Sequence, residues 1–201
     1  MSNALTAFIN SSNLPSLSGD ALADSLDNIS GGGPGGTKYL SFSGKSGALT
    51  YDRDALDPEK LFLVEPQAVF AGWICWKGGT RAGSYEWSIH SPKAAVAEED
   101  LEDFGPYNEK AGEGWKATLG FGMVDMDNGS AVKFSTGAKI SINVMRELLR
   151  EVSQRTRAGE PSLPVVSFDS ESIVWKGMKN HKLVIHVDRW LTRDEAEELL
   201  A

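Results

Sequence analysis

The sequence predicts a β-rich α+β fold: an antiparallel barrel with one main helix and extra strands and insertions. Apolar runs of strand length, bounded by Gly, Pro and Asn, recur between residues 38 and 135 and again after 163. A single long segment, roughly Ile140 to Arg157, has helical spacing instead. The chain is also long and apolar enough to bury a core, with 201 residues of which 41% are hydrophobic and 24% charged, which excludes disorder throughout.

The elements follow in order. Residues 1–37 read as an N-terminal arm. Leu22, Leu26 and Ile29 recur at helical spacing after Ser18, a candidate cap, and the segment carries Asp20, Asp24 and Asp27 with no Lys or Arg before Lys38. Gly31-Gly32-Gly33-Pro34-Gly35-Gly36 then forms a flexible hinge. A hairpin is expected from Tyr39–Phe42 and Ala48–Tyr51, joined by Gly44-Lys45-Ser46-Gly47. Leu61–Val64 reads as a strand, and Val69–Trp76 as a central strand covered on both faces, because its apolarity is continuous. Gly78–Gly83 reads as a loop before a strand in which Tyr85, Trp87 and Ile89 alternate with Glu86, Ser88 and His90.

Residues 92–114 look irregular, with five carboxylates in Glu98–Asp103. Strand character resumes from Trp115 to Val124, turns at Asn128-Gly129 and returns over Ala131–Ser135. The helix comes next, with Ser141 as cap, Ile142, Met145, Leu149 and Val152 on one face, and Gly159 with Pro161 as stop. Two strands, Leu163–Phe168 and Leu183–Val187, flank a polar loop. Residues 192–201 form an acidic C-terminal tail, in which Thr192 and Glu195 fit a capping box. Residues 38–191 thus make one domain. Strands, a helix and two further strands give the minimal order of an oligonucleotide-binding (OB) barrel, with an α+β sandwich as the rival.

Motifs of enzyme chemistry are incomplete in this sequence. Gly44-Lys45-Ser46 ends like a phosphate-binding loop, but the required upstream glycine is Tyr39. His90, His181 and His186 lack partners at metal-ligand spacing, and Glu98–Asp103 lacks the ligand spacing of a calcium loop, so no cofactor or metal is expected. Cys75 lies in an apolar run and reads as core; one cysteine fits a reducing cytoplasm. No apolar run approaches the length that spans a bilayer.

The positive signal is aromatic residues beside cations: Trp76-Lys77 with Arg81, Trp115-Lys116, Lys133-Phe134, and Trp175-Lys176 with Lys179 and Lys182. Stacked rings with cations on the phosphates are how single-stranded nucleic acid is held. The net charge is −8, from 20 basic and 28 acidic residues. Residues 138–193 hold ten Lys or Arg against six acids, and the acids collect in residues 20–27, 98–113 and 194–198, which leaves room for a basic groove. Trp73, Trp87 and Trp115 sit in apolar strand patterns that also suit a core, whereas Trp175 lies in a Gly- and Lys-rich stretch.

This plan resembles phage-type single-stranded DNA-binding proteins in domain size, aromatic and basic groove residues, low isoelectric point and an acidic terminal tail. The resemblance implies sequence-tolerant binding of single-stranded DNA in replication or recombination. It further implies no catalysis, a tail that recruits replication proteins and competes with DNA, and a place in the host cytoplasm. The other class open to the sequence is a non-enzymatic protein-interaction or virion-type structural module.

Overall fold

The computed structural model describes residues 37–175 and 177–200; the expected arm helix and glycine hinge of residues 1–36 lie outside them. Lys38–Phe42 (β1), Leu49–Tyr51 (β2) and Asp54–Ala55 (β3) form a small antiparallel meander. Phe62–Lys77 (β4) and Thr80–Ser88 (β5) form a long hairpin, and Gly114–Asp125 (β6) pairs with Ala131–Thr136 (β7). The helix Lys139–Ala158 (α1) leads to the hairpin Leu163–Trp175 (β8) and Met178–Leu191 (β9), and Arg193–Leu199 (α2) follows. The nine strands make one curled, open sheet in the order β3-β2-β1-β7-β6-β4-β8-β9, with β5 paired to β4 beside β8. All paired neighbours are antiparallel except β1 and β7. The protein is therefore a strand-rich α+β fold, as the sequence suggests.

Curvature brings the outer hairpins together. The His181 N–H of β9 donates to the Gly44 carbonyl in the β1–β2 turn at 2.8 Å. Gly47 is required there: its φ is +77°, and a Cβ would strike the His181 ring. The concave side holds the main core, where Phe62, Phe121, Phe134 and Phe168 are essentially inaccessible and Met145 and Leu148 of α1 pack among them.

Four elements differ from the sequence reading. Leu61–Val64 and Val69–Trp76 fuse into β4, because an irregularity between Glu65 and Val69 absorbs Pro66 without ending the strand. The loop expected over Gly78–Gly83 shrinks to a turn at Gly78-Gly79, both at positive φ, and β5 starts at Thr80. The polar loop expected between the last two strands is itself ladder, in register from Leu163↔Leu191 to Trp175↔Met178. Alternation of polar residues across two exposed faces hides such a ribbon. Ser141 is buried inside α1 rather than capping it; Ala138 is the N-cap, with no side-chain cap, while Gly159 ends the helix as expected.

The acidic tail is also docked. Thr192 and Glu195 form the expected capping box, with Thr192 N–H donating to Glu195 at 2.7 Å. Ala196 is fully buried against Leu63, Val124, Leu163, Val165 and Leu191 on the convex side of the sheet. Arg193 makes a two-pronged pair with buried Glu65, at 2.6 and 3.1 Å. The segment is a structural cover over part of the sheet, not a loose acidic arm.

Candidate nucleic-acid interface

Strand periodicity decides which of the expected residues can act together. Neighbours along a strand point to opposite faces, whereas residues directly across a ladder share one. In the β4–β6 register, Phe70, Gly72, Ile74 and Trp76 oppose Gly120, Thr118, Lys116 and Gly114. Arg81 of β5 opposes Trp76, and Lys133 of β7 opposes Gly122. Trp76, Arg81, Lys116 and Lys133 therefore lie on one convex face shared by four adjacent strands. This is the same face that α2 covers further along, but from Phe70 to Trp76 α2 leaves it open.

On this face Gly120 has no side chain where the Phe70 ring crosses β6, and a Cβ there would collide with that ring. The Lys133 ammonium lies 4.4 Å above the Phe70 ring and pairs with Glu86. Arg81 and Lys116 are exposed, with no ion pair among the described residues. Trp76 is 39% accessible, the most exposed described indole that lies beside such cations. Trp76, Lys116, Gly79, Ala111, Gly112 and Glu113 line an open cleft of about 310 Å³. The Glu113 carboxylate is already engaged, accepting from the Asn108 and Gly78 N–H groups at 2.9 Å each. These donors hold its pKa below the ordinary carboxylate value and tie the β4–β5 turn to the irregular segment.

The opposite face of the same strands is covered. Trp73 Nε1–H donates to Val96 O at 2.9 Å and Trp115 Nε1–H to Glu102 O at 2.8 Å. The Trp115 ring packs 5.5 Å from Tyr85 and 5.8 Å from Phe104. Lys77 donates to the carbonyls of Phe104 and Gly105. Residues 92–113, with three short 3₁₀ turns, thus form a lid on an aromatic layer. Trp115 and Lys77 hold that lid and are removed from the expected site.

Trp175, Lys179 and Lys182 belong to the β8–β9 ribbon. This ribbon meets β4 at Phe62 and Leu63, and runs from there in the register direction away from Trp76. Trp175 ends β8, and Lys176 lies outside the described residues. Lys179 is exposed; Lys182 pairs with Glu171 at 2.7 Å. The nine described residues among the ten expected therefore separate into an open-face group of four, a lid-bound pair and a ribbon group of three.

The buried ionisable cluster around Asp125 is structural. Asp125, wholly inaccessible, accepts from Tyr51 O–H at 2.7 Å and Asn128 at 2.9 Å, and pairs with Lys60 at 3.0 Å. Burial pushes its pKa up, but the Tyr51 and Lys60 hydrogen bonds outweigh this and hold it below the ordinary value. Among the described residues, no group of three or more His, Cys, Asp or Glu side chains could hold a metal ion, and no helix is long and apolar enough to cross a membrane. Comparison with protein-family models, curated proteins and solved structures returned no match.

Proposed function

We propose that the open face of β4–β7 binds single-stranded DNA in a sequence-tolerant, non-catalytic way. The observation that carries this is Trp76, an exposed indole flanked across the ladder by Arg81 and diagonally by Lys116, two residues along β6 from its partner Gly114. A base stacked on Trp76 gains about 1–3 kcal/mol, and the two unpaired cations meet the adjoining phosphates. Stacking on a ring and contacts to phosphates are indifferent to base identity, which is why tolerance rather than sequence preference is proposed.

The topology supports an OB-like reading. With β5 set aside as an added strand paired to β4, the elements β4, β6, β7, α1, β8 and β9 follow the order of three strands, a helix and two strands, and β8 returns antiparallel to β4. The β1–β2 hairpin stands where the last strand of such a barrel would close on the third. In OB folds the face of the second and third strands takes the ligand, and β6 and β7 here carry Lys116 and Lys133.

Oligo-dT titration followed by tryptophan emission tests the reading. Quenching that salt reverses, and that Trp76→Ala removes with about a tenfold loss of affinity, is the expected result. Unchanged emission and affinity would favour the protein-interaction reading, whose support is Val174, 77% exposed near the end of the β8–β9 ribbon.

A further inference from the structure

The exposed side of α1 carries a cation row that the sheet face does not use. At about 100° per residue, Lys139, Arg146, Arg150 and Arg157 fall within about 20° of one line along the helix. All four are exposed, and none makes an ion pair among the described residues. The row is about 27 Å long, from eighteen residues at about 1.5 Å each. Asn143 and Gln154, both exposed and uncharged, lie between the row and the acids of the helix. The acids of the helix lie aside, with Glu147 and Glu151 rotated by about 80° and about 120° from the row, and Glu151 is taken up by Arg155 at 3.2 Å. The buried face of the helix, Ile142, Met145, Leu148 and Val152, is turned into the core, and the row on its other side has no acidic partner among the described residues.

Four aligned, unpaired cations in a chain of net charge −8 ask for an extended anion rather than a point one. A short acidic peptide segment offers charge over only part of 27 Å. A nucleic-acid backbone offers a phosphate at every nucleotide along the whole row. We propose that α1 is a second contact line of this protein, binding the phosphate backbone of a strand that continues beyond the open sheet face. This rests on the nucleic-acid reading, but it concerns different residues and a different signal. The row supplies charge without stacking, so it contributes salt-dependent affinity and no fluorescence change.

The experiment is the salt dependence of binding to short and long oligo-dT. It uses the full chain, Trp76→Ala, and a variant with Lys139, Arg146, Arg150 and Arg157 all changed to Gln. Gln is a good helix former, so the fold should persist, and circular dichroism checks it. On a long oligonucleotide, removing one cation from a phosphate should reduce the slope of log K against log salt by about 0.7, so the quadruple variant should lose about 3 in slope. It should retain tryptophan quenching, and on a short oligonucleotide it should match the wild type. Replacing the three arginines by Lys should restore most of the slope.

A quadruple variant with wild-type slope on the long oligonucleotide overturns the proposal while leaving the sheet-face reading intact. So does one that binds more tightly, which would mean that the row holds an acidic protein segment. A reduced slope in the quadruple variant together with no effect of Trp76→Ala supports the row and sinks the sheet face instead. No oligo-dT binding by the wild type overturns both.

Discussion

At the residue scale, the decisive fact is that Trp76-Lys77 and Trp115-Lys116 are consecutive pairs on neighbouring strands. A strand sends consecutive side chains to opposite faces, so each pair is split. Trp76 and Lys116 go to the open face, and Lys77 and Trp115 go under the lid. Aromatic-plus-cation proximity in sequence thus overstated the site, while the period-two rule applied to the same residues would have sorted them. Trp115→Ala should accordingly lower stability by about 2 kcal/mol, because its ring no longer packs on Tyr85 and Phe104. Its effect on oligo-dT affinity at a temperature where it remains folded should be small, and thermal melts with parallel titrations check both. Asp125→Asn is expected to cost about 3 kcal/mol, because it breaks a fully buried charge cluster. The folded-state pKa of Asp125 lies below its unfolded value. Its stabilisation is therefore complete above the ordinary carboxylate range near about pH 4 and is lost as pH falls through the folded-state value. Urea melts across pH should show a steeper acid loss in the wild type than in Asp125→Asn.

At the element scale, most strands were legible because they alternate or are continuously apolar. β4 is legible as a strand from its continuous apolarity, but the expected cover on both faces of Val69–Trp76 is met on one side only: the core and lid cover one face, while α2 covers the other near Leu63 and leaves Trp76 exposed. The β8–β9 ribbon was only half legible, since Glu171, Ser172 and Lys179 are solvated ladder residues with no apolar face to betray them. Helix α2 was legible in its capping box but not in its docking, which depends on Glu65, distant in sequence. Truncation after Leu191 should therefore destabilise the domain by several kcal/mol, because it bares Leu63, Val124 and Val165 and leaves Glu65 buried without its partner. Arg193→Ala alone should cost about 3 kcal/mol for the second reason. Equilibrium unfolding measures both, and a truncated protein of wild-type stability would show that the helix is merely resting on the sheet.

At the scale of the whole molecule, a chain of net charge −8 sets apart two cationic features, the open β4–β7 face and the row along α1. The row was present in the sequence as a seven-four-seven spacing of Lys139, Arg146, Arg150 and Arg157, visible once the helix is projected down its axis. The contact between the outer hairpins at Gly44 and His181 was not legible, because it joins residues 137 positions apart through backbone atoms. The central claim is that a base rests on Trp76. Photo-crosslinking of the full chain to an iodouracil-substituted oligonucleotide, followed by peptide mapping, tests this directly. The expected crosslink is at Trp76, and it should fade as salt rises and as unlabelled oligo-dT competes. Crosslinking confined to other aromatic residues, or absent where binding is saturated, would contradict it.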